Sequence, residues 1–189
     1  LSKAATTEAK GKILLSTEQI QKRVKELGAQ ITADFRGKTC CVVGVLENGF
    51  MFMADLVRAI DVPVTCQFIK PFYFEERNRG TTDIKYSPIV DVKNQHVLLV
   101  EGLVQSGITS DYLMHNFIAQ GASSVKLATL LDKSSARRVA LRPDYFGFIL
   151  DESFVTGYGL GSPHLGRNLP YIQSFAGSPL AGSAEETIR

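Results

Sequence analysis

Ser106, Gly107 and Thr109 stand at the end of an apolar run that carries one carboxylate, Val97-Leu98-Leu99-Val100-Glu101-Gly102-Leu103-Val104-Gln105. Where such a run turns into a helix, the free amides and hydroxyls of Ser106, Gly107, Ile108 and Thr109 form a nest for a phosphate dianion, and the helix dipole adds attraction. A short Ser-Gly-x-Thr taken alone is equally an ordinary strand-to-helix turn, so its meaning rests on its surroundings. Glu101 is the carboxylate nearest this loop. Gly102 and Gln105 occupy positions where metal and proton chemistry beside a phosphate calls for acids. The other reactive residue types add little: His96, His115 and His164 are spaced for neither a triad nor a metal site. Cys40, Cys41 and Cys66 show no CxxC or Cys/His pattern, and their odd number argues against a disulfide framework. All three are expected as buried, reduced thiols.

The elements that must hold this loop are legible in the hydrophobic pattern. Ser16 and Gln19 make a capping box, and Ile20, Val24, Leu27 and Ile31 then recur on one helical face up to Arg36-Gly37-Lys38. Cys40 to Leu46 is a valine-rich run suited to a strand buried on both faces. A turn at Glu47-Asn48-Gly49 follows, then a helix marked by Phe52, Leu56, Val57 and Ile60, and a second strand from Val62 to Ile69. Lys70 to Asp91 mixes aromatics and charges without periodicity, as a hairpin-like flap or long loop does. Val97 to Val100 makes the third strand, a helix runs through Leu113 and Phe117 to Gly121, and "SVKLATLL" makes the fourth strand. "YFGFIL" and "FVTGYGL" are short late strands. Alternating strands and helices imply a mostly parallel sheet with both faces covered, whose ligands bind at the strand carboxyl ends near a topological switch point. Both the 47–49 turn and the 101–109 loop fall on that rim.

Composition narrows the class. The 189 residues suit one α/β domain, and 44% hydrophobic with 21% charged residues is a globular balance. The net charge of +2 supplies no general attraction to nucleic acid or anionic membrane, so no nucleic-acid partner is expected. No apolar run approaches the roughly 20 residues that a bilayer-spanning helix needs. The organisation reads as a flexible N-terminal segment over residues 1–12, one domain over 13–175, and a small polar tail over 176–189. The opening Leu1-Ser2-Lys3 is compatible with the end left by a cleaved organelle presequence. On that ground a mitochondrial location is expected, or otherwise the cytoplasm or another reducing compartment.

From about Ile13 to Phe175 the chain resembles the purine phosphoribosyltransferases, specifically the hypoxanthine-guanine phosphoribosyltransferase family. "GVLENGFMFMADLVRAI" is similar to that family's pyrophosphate loop and following helix, "TTDIK" to the end of its mobile flap, and "VKLATLLDKSSARRVALRPDYFGFIL" with "FVTGYGL" to its purine-pocket strands. The resemblance implies a type I phosphoribosyltransferase-like α/β fold: a mostly parallel twisted sheet flanked by helices, with a flap and a small hood from the C-terminal strands. In the family the loop reads acid, acid, two apolar residues, acid, Thr or Ser, Gly, any residue, Thr. The first two acids hold ribose hydroxyls and help place Mg²⁺, which neutralises the leaving pyrophosphate, and the third handles a purine proton. Carried over residue by residue, Glu101 matches the first acid. Gly102 and Gln105 replace the other two, Gly161 replaces a later metal-linked aspartate, and Glu47 replaces a pyrophosphate-loop lysine. Ser106 to Thr109 match the phosphate cradle, Arg142 a lysine reaching the purine oxygen, Phe154 and Val155 the purine stack and edge, and Arg167 a basic residue near pyrophosphate.

These departures set the functional expectation: a degenerate member, catalytically inactive, with Glu101 vestigial, no metal ligands and Mg²⁺ binding lost. In this reading the chain is an accessory subunit of a larger assembly, such as a respiratory-chain complex or the mitochondrial ribosome. Other subunits would contact the flap "KPFYFEERNRG" and the "SPHLGRNLPY" loop, and a purine monophosphate would bind residually. The alternatives are an active hypoxanthine-guanine phosphoribosyltransferase of purine salvage, and a purine nucleotide sensor without turnover.

Overall fold

The computed structural model describes residues 11–75, 82–151, 154–161 and 166–174. Its elements in chain order are β1 (Ile13–Leu15), α1 (Thr17–Asp34), β2 (Cys40–Val45), α2 (Phe50–Ala59), β3 (Val64–Glu75), β4 (Thr82–Ser87), β5 (His96–Val104), α3 (Ile108–Ala119), β6 (Ser124–Asp132), β7 (Tyr145–Ile149), β8 (Val155–Thr156) and β9 (Ile172–Ser174). A six-stranded twisted sheet runs β4-β3-β2-β5-β6-β7. Its strands are parallel except for β4, which pairs antiparallel with β3. A three-stranded antiparallel sheet, β1-β9-β8, forms the hood. This is the type I phosphoribosyltransferase fold expected from the sequence.

The local reasons are visible in each element. Ser16 caps α1: its Oγ accepts from Gln19 N at 3.3 Å while Gln19 Oε1 accepts from Ser16 N at 2.8 Å. The stripe Ile20, Val24, Leu27 and Ile31 is buried throughout. β2 is buried at every residue because the sheet has helices on both faces, and its side chains divide between two cores. Val42, with Leu98 and Val100 of β5, faces α1 and α2; Cys41, Val43 and Val45, with Val97 and Leu99, face Leu113 and Phe117 of α3. Burying a side chain of this size fully stabilises the fold by roughly 1.5–3 kcal/mol.

Several expectations need adjusting. The second strand continues beyond Ile69 to Glu75, so the flap is the outer half of β3 hairpinned to β4. The third strand continues to Val104, which carries Glu101 and Gly102 within the sheet. Cys40 and Cys41 are buried, and burial pushes the Cys40 thiol up to about 12; Cys66, on β3 one strand from the sheet edge, is exposed. The N-terminal segment up to residue 10, the flap tip, part of the "SPHLGRNLPY" loop including His164, and the tail 176–189 lie outside the described residues. Lys12 is tied to Ser174, whose amide donates to Lys12 O at 2.8 Å. No helix among the described residues is long and apolar enough to cross a membrane.

Candidate active site

The connection from β2 through α2 leads to β3 on one side, while β5 lies on the other side of β2, so the switch point falls between β2 and β5. Amides and side chains at the carboxyl ends of these strands open into one crevice. A cavity of about 400 Å³ lies there, lined among others by Asn48, Lys70, Tyr73, Glu101, Ser106 and Thr109. A second cavity of about 170 Å³ adjoins it, lined by Lys133, Leu150, Phe154, Val155 and Gly161 among others. Asn48, Leu103 and Gln105 line both.

The loop 106–109 opens α3 at the rim, where the sequence placed it. Gly107, with φ 78°, is the N-cap of α3 and uses a left-handed conformation that favours glycine. Ser106 Oγ accepts from Ile108 N at 3.4 Å, and Thr109 Oγ1 lies 2.8 Å from the Tyr73 hydroxyl on the flap strand. The loop is held from behind. Arg137 Nη1 donates to Gln105 O at 3.0 Å and also pairs with the buried Asp132, while Arg138 N donates to Ser106 O at 2.9 Å. No reading of the sequence singled out Arg137, since "ARR" alone looks like a solvated cluster.

Glu101 is half-buried at the floor of the larger cavity, where its Oε1 accepts from Ser110 Oγ at 2.6 Å. Burial raises its carboxyl to about 7, against the opposing pull of the Ser110 hydrogen bond and the Arg137 charge. No other Asp or Glu lines either cavity among the described residues.

The positions lacking acids have a packing explanation. A Cβ at Gly102 would fall inside van der Waals contact of the Asn48 carbonyl, so the 47–49 turn sits directly on β5. At Gly161, φ is 106° and a Cβ would lie 2.6 Å from Thr156 Oγ1. At Gly102 backbone, and at Gly161 the Thr156 side chain, leaves no room for a larger residue. Gln105 remains exposed between the cavities.

Glu47 proves to be neutralised. Its Oε1 lies 3.0 Å from Lys70 Nζ and its Oε2 2.6 Å from Arg167 Nη1, and these cations hold its carboxyl below the usual range, Arg167 most strongly. The expected repulsion of pyrophosphate by Glu47 is therefore offset by two cations that the sequence places 23 and 120 residues away.

Phe154 and Val155 line the smaller cavity, while Arg142 is exposed and lines neither cavity. Lys133 lines it instead, directly after β6. A basic residue immediately following a strand whose carboxyl end reaches the rim was the signal available. Of the histidines, His96 Nδ1 meets Ser124 Oγ at 2.9 Å and His115 Nδ1 meets Asp111 O at 2.8 Å; neither lines a cavity.

A loop that opens a helix at the switch point of this sheet, with a second cavity beside it, fits the phosphoribosyltransferase class. The sequence profile of the phosphoribosyl transferase domain matches residues 11–163. The hypoxanthine-guanine phosphoribosyltransferase of Streptococcus pneumoniae is 40% identical over 163 residues, covering 85% of this chain and 91% of the relative. The crystal structure of the Staphylococcus aureus hypoxanthine phosphoribosyltransferase superposes with a TM-score of 0.81 at 33% identity, covering 87% of this chain and 90% of that one. The Trypanosoma cruzi hypoxanthine phosphoribosyltransferase, in complex with the product IMP, gives 0.79 at 33% identity, covering 87% and 93%. The chain belongs to the phosphoribosyltransferase family, among its hypoxanthine-guanine members.

These relatives overturn the inactive reading. They are named for the activity, one holds its product, and together with the neutralised Glu47 they remove the basis for a degenerate member, a pseudoenzyme or an accessory subunit. The respiratory-chain and mitochondrial-ribosome assignments, which depended on an inactive fold, fall with it. The expected loss of Mg²⁺ binding is corrected too. Mg²⁺ keeps several waters and binds through one or two carboxylates plus substrate phosphates, so a single Glu101 in the cavity that the 106–109 loop lines is compatible with it.

Proposed function

We propose that this protein transfers the 5-phosphoribosyl group of phosphoribosyl pyrophosphate to hypoxanthine or guanine, yielding a purine nucleoside monophosphate and pyrophosphate. The observation carrying this reading is the shared wall of the two cavities: Asn48, Leu103 and Gln105 line both, so a ribose at that wall reaches the cradle with its phosphate and the slot with its base. Ser106 to Thr109 hold the 5′-phosphate by amides and hydroxyls at the α3 N-terminus. Lys70, in the larger cavity, and Arg167 beside it attract the pyrophosphate. Phe154 and Val155 flank the purine, and Lys133 faces its exocyclic oxygen. The resemblance to the family supports placing Glu101 at the ribose hydroxyls and the metal. When bound with the substrate, Mg²⁺ supplies charge neutralisation to the departing pyrophosphate.

Proton handling differs from the family pattern. Gln105 can orient a purine ring nitrogen by hydrogen bonding, but an amide takes up no proton near neutrality. Glu101 lines the larger cavity and not the smaller one, so its carboxylate serves the ribose and the metal, and no carboxylate among the described residues lines the smaller cavity to take the purine proton. The experiment is a forward assay with purified protein, Mg²⁺ and phosphoribosyl pyrophosphate, offering hypoxanthine, guanine and adenine in turn. Pyrophosphate release with the two oxopurines is expected. Release with adenine alone would reject the substrate assignment.

A further inference from the structure

Glu47 lies at the meeting point of three segments that the sequence holds far apart. One carboxylate oxygen takes Lys70 from the root of the flap strand, and the other takes Arg167 from the C-terminal segment. Arg167 is held further by Asn48 Oδ1 at 3.3 Å and by the Gly161 carbonyl at 3.1 Å. Two oxygens on one acid, each satisfying one cation, reproduce the way adjoining oxygens of a diphosphate would engage the same pair. We propose that Glu47 is a displaceable counter-anion: it holds Lys70 and Arg167 together in the unliganded site and must yield them when a diphosphate enters. This rests on the proposed phosphoribosyl transfer and assigns a specificity role to a residue for which that reaction has no direct use.

The arrangement can release. Side-chain exposure is 44% for Glu47 and 51% for Lys70, so the pair is solvated, and exposed ion pairs are weak. Arg167, at 21%, is the more fixed partner, and its contacts with Asn48 and Gly161 keep it in place after Glu47 leaves. The three charges sum to one positive charge with Glu47 present and two without it. A diphosphate brings more negative charge than a monophosphate and carries oxygens on two phosphorus centres, one for each cation, which favours it at Lys70 and Arg167.

Calorimetric titration with inorganic diphosphate in metal-free buffer, on the wild type, Glu47→Gln and Glu47→Ala, tests this directly. Both variants are expected to bind diphosphate about 3- to 10-fold more tightly than the wild type, as the loss of exposed ion-pair competition implies. Inorganic phosphate affinity should stay within about twofold, because the α3 cradle is untouched. Equal or weaker diphosphate binding in the variants, or no diphosphate binding by any of the three proteins, overturns the proposal. Turnover plays no part in the measurement. Tighter variants in a chain that forms no nucleotide would uphold the counter-anion and reject the transfer reaction.

Discussion

At the scale of single residues, Glu101 carries the strongest predictions because its titration couples stability to chemistry. Its carboxyl titrates at about 7 in the folded chain against 4.5 for the free group, so the fold holds its proton more tightly than the unfolded chain does. The contribution is fully present below pH 4.5, is lost as pH rises towards 7, and amounts to up to ~3 kcal/mol. Glu101→Gln keeps an oxygen for Ser110 Oγ and removes the ionisation. At pH 8 it should be more stable than the wild type by ~1–3 kcal/mol, and near pH 4.5 the two should converge. Urea titrations at both pH values check this, and identical pH dependence in the two proteins would show that Glu101 is not the perturbed group. The same variant should lower kcat by roughly 10²-fold or more, through loss of the charge that holds the ribose and the metal. Gln105→Asp restores a titratable group beside the purine slot and should raise kcat by about 10²-fold; an unchanged rate would mean that proton transfer is not limiting. Glu101 was legible as a candidate in the sequence, but its raised titration was not, because it depends on burial beneath a loop folded over it. Lys133, which lines the smaller cavity, was not singled out, because it and Arg142 are both single cations near a late strand.

At the scale of elements, those with a side-chain period or an apolar run were readable, and the strands with neither were not. The α1 stripe and the buried run of β2 each repeat a side-chain pattern over many residues, and tertiary packing agrees with both. β1 and β9 have three residues each, too few to show a period, and they exist because β9 pairs with β1 and with β8, which lies in the run "FVTGYGL", across the length of the chain. The turn at 47–49 was read correctly, but its contact with Gly102 was not, since nothing local indicates that two loops touch. Gly102→Ala should therefore destabilise the protein by about 1–3 kcal/mol through overpacking against the Asn48 carbonyl, even though alanine is a smaller change than the aspartate of the family. Thermal denaturation measures it, and an unchanged Tm would mean that the turn moves freely off β5. Ser16→Ala removes the reciprocal cap of α1 and should cost about 1 kcal/mol by the same measurement.

At the scale of the whole molecule, the sheet order brings a phosphate cradle from α3, two cations from the flap strand and the C-terminal segment, and an aromatic slot from the hood onto one rim. The family was legible because its motifs lie along most of the chain. Activity was misjudged because each departure was weighed as a local charge, whereas Glu47 is answered by Lys70 and Arg167 from distant segments. The central claim is that this rim transfers phosphoribosyl groups through Glu101. Its most direct test is conversion of radiolabelled hypoxanthine to labelled nucleoside monophosphate by purified protein with Mg²⁺ and phosphoribosyl pyrophosphate, run beside Glu101→Gln. Labelled nucleotide that accumulates with the wild type and falls by roughly 10²-fold or more with the variant is the predicted result. No labelled nucleotide from a folded wild-type sample, or equal rates in the two proteins, would contradict it.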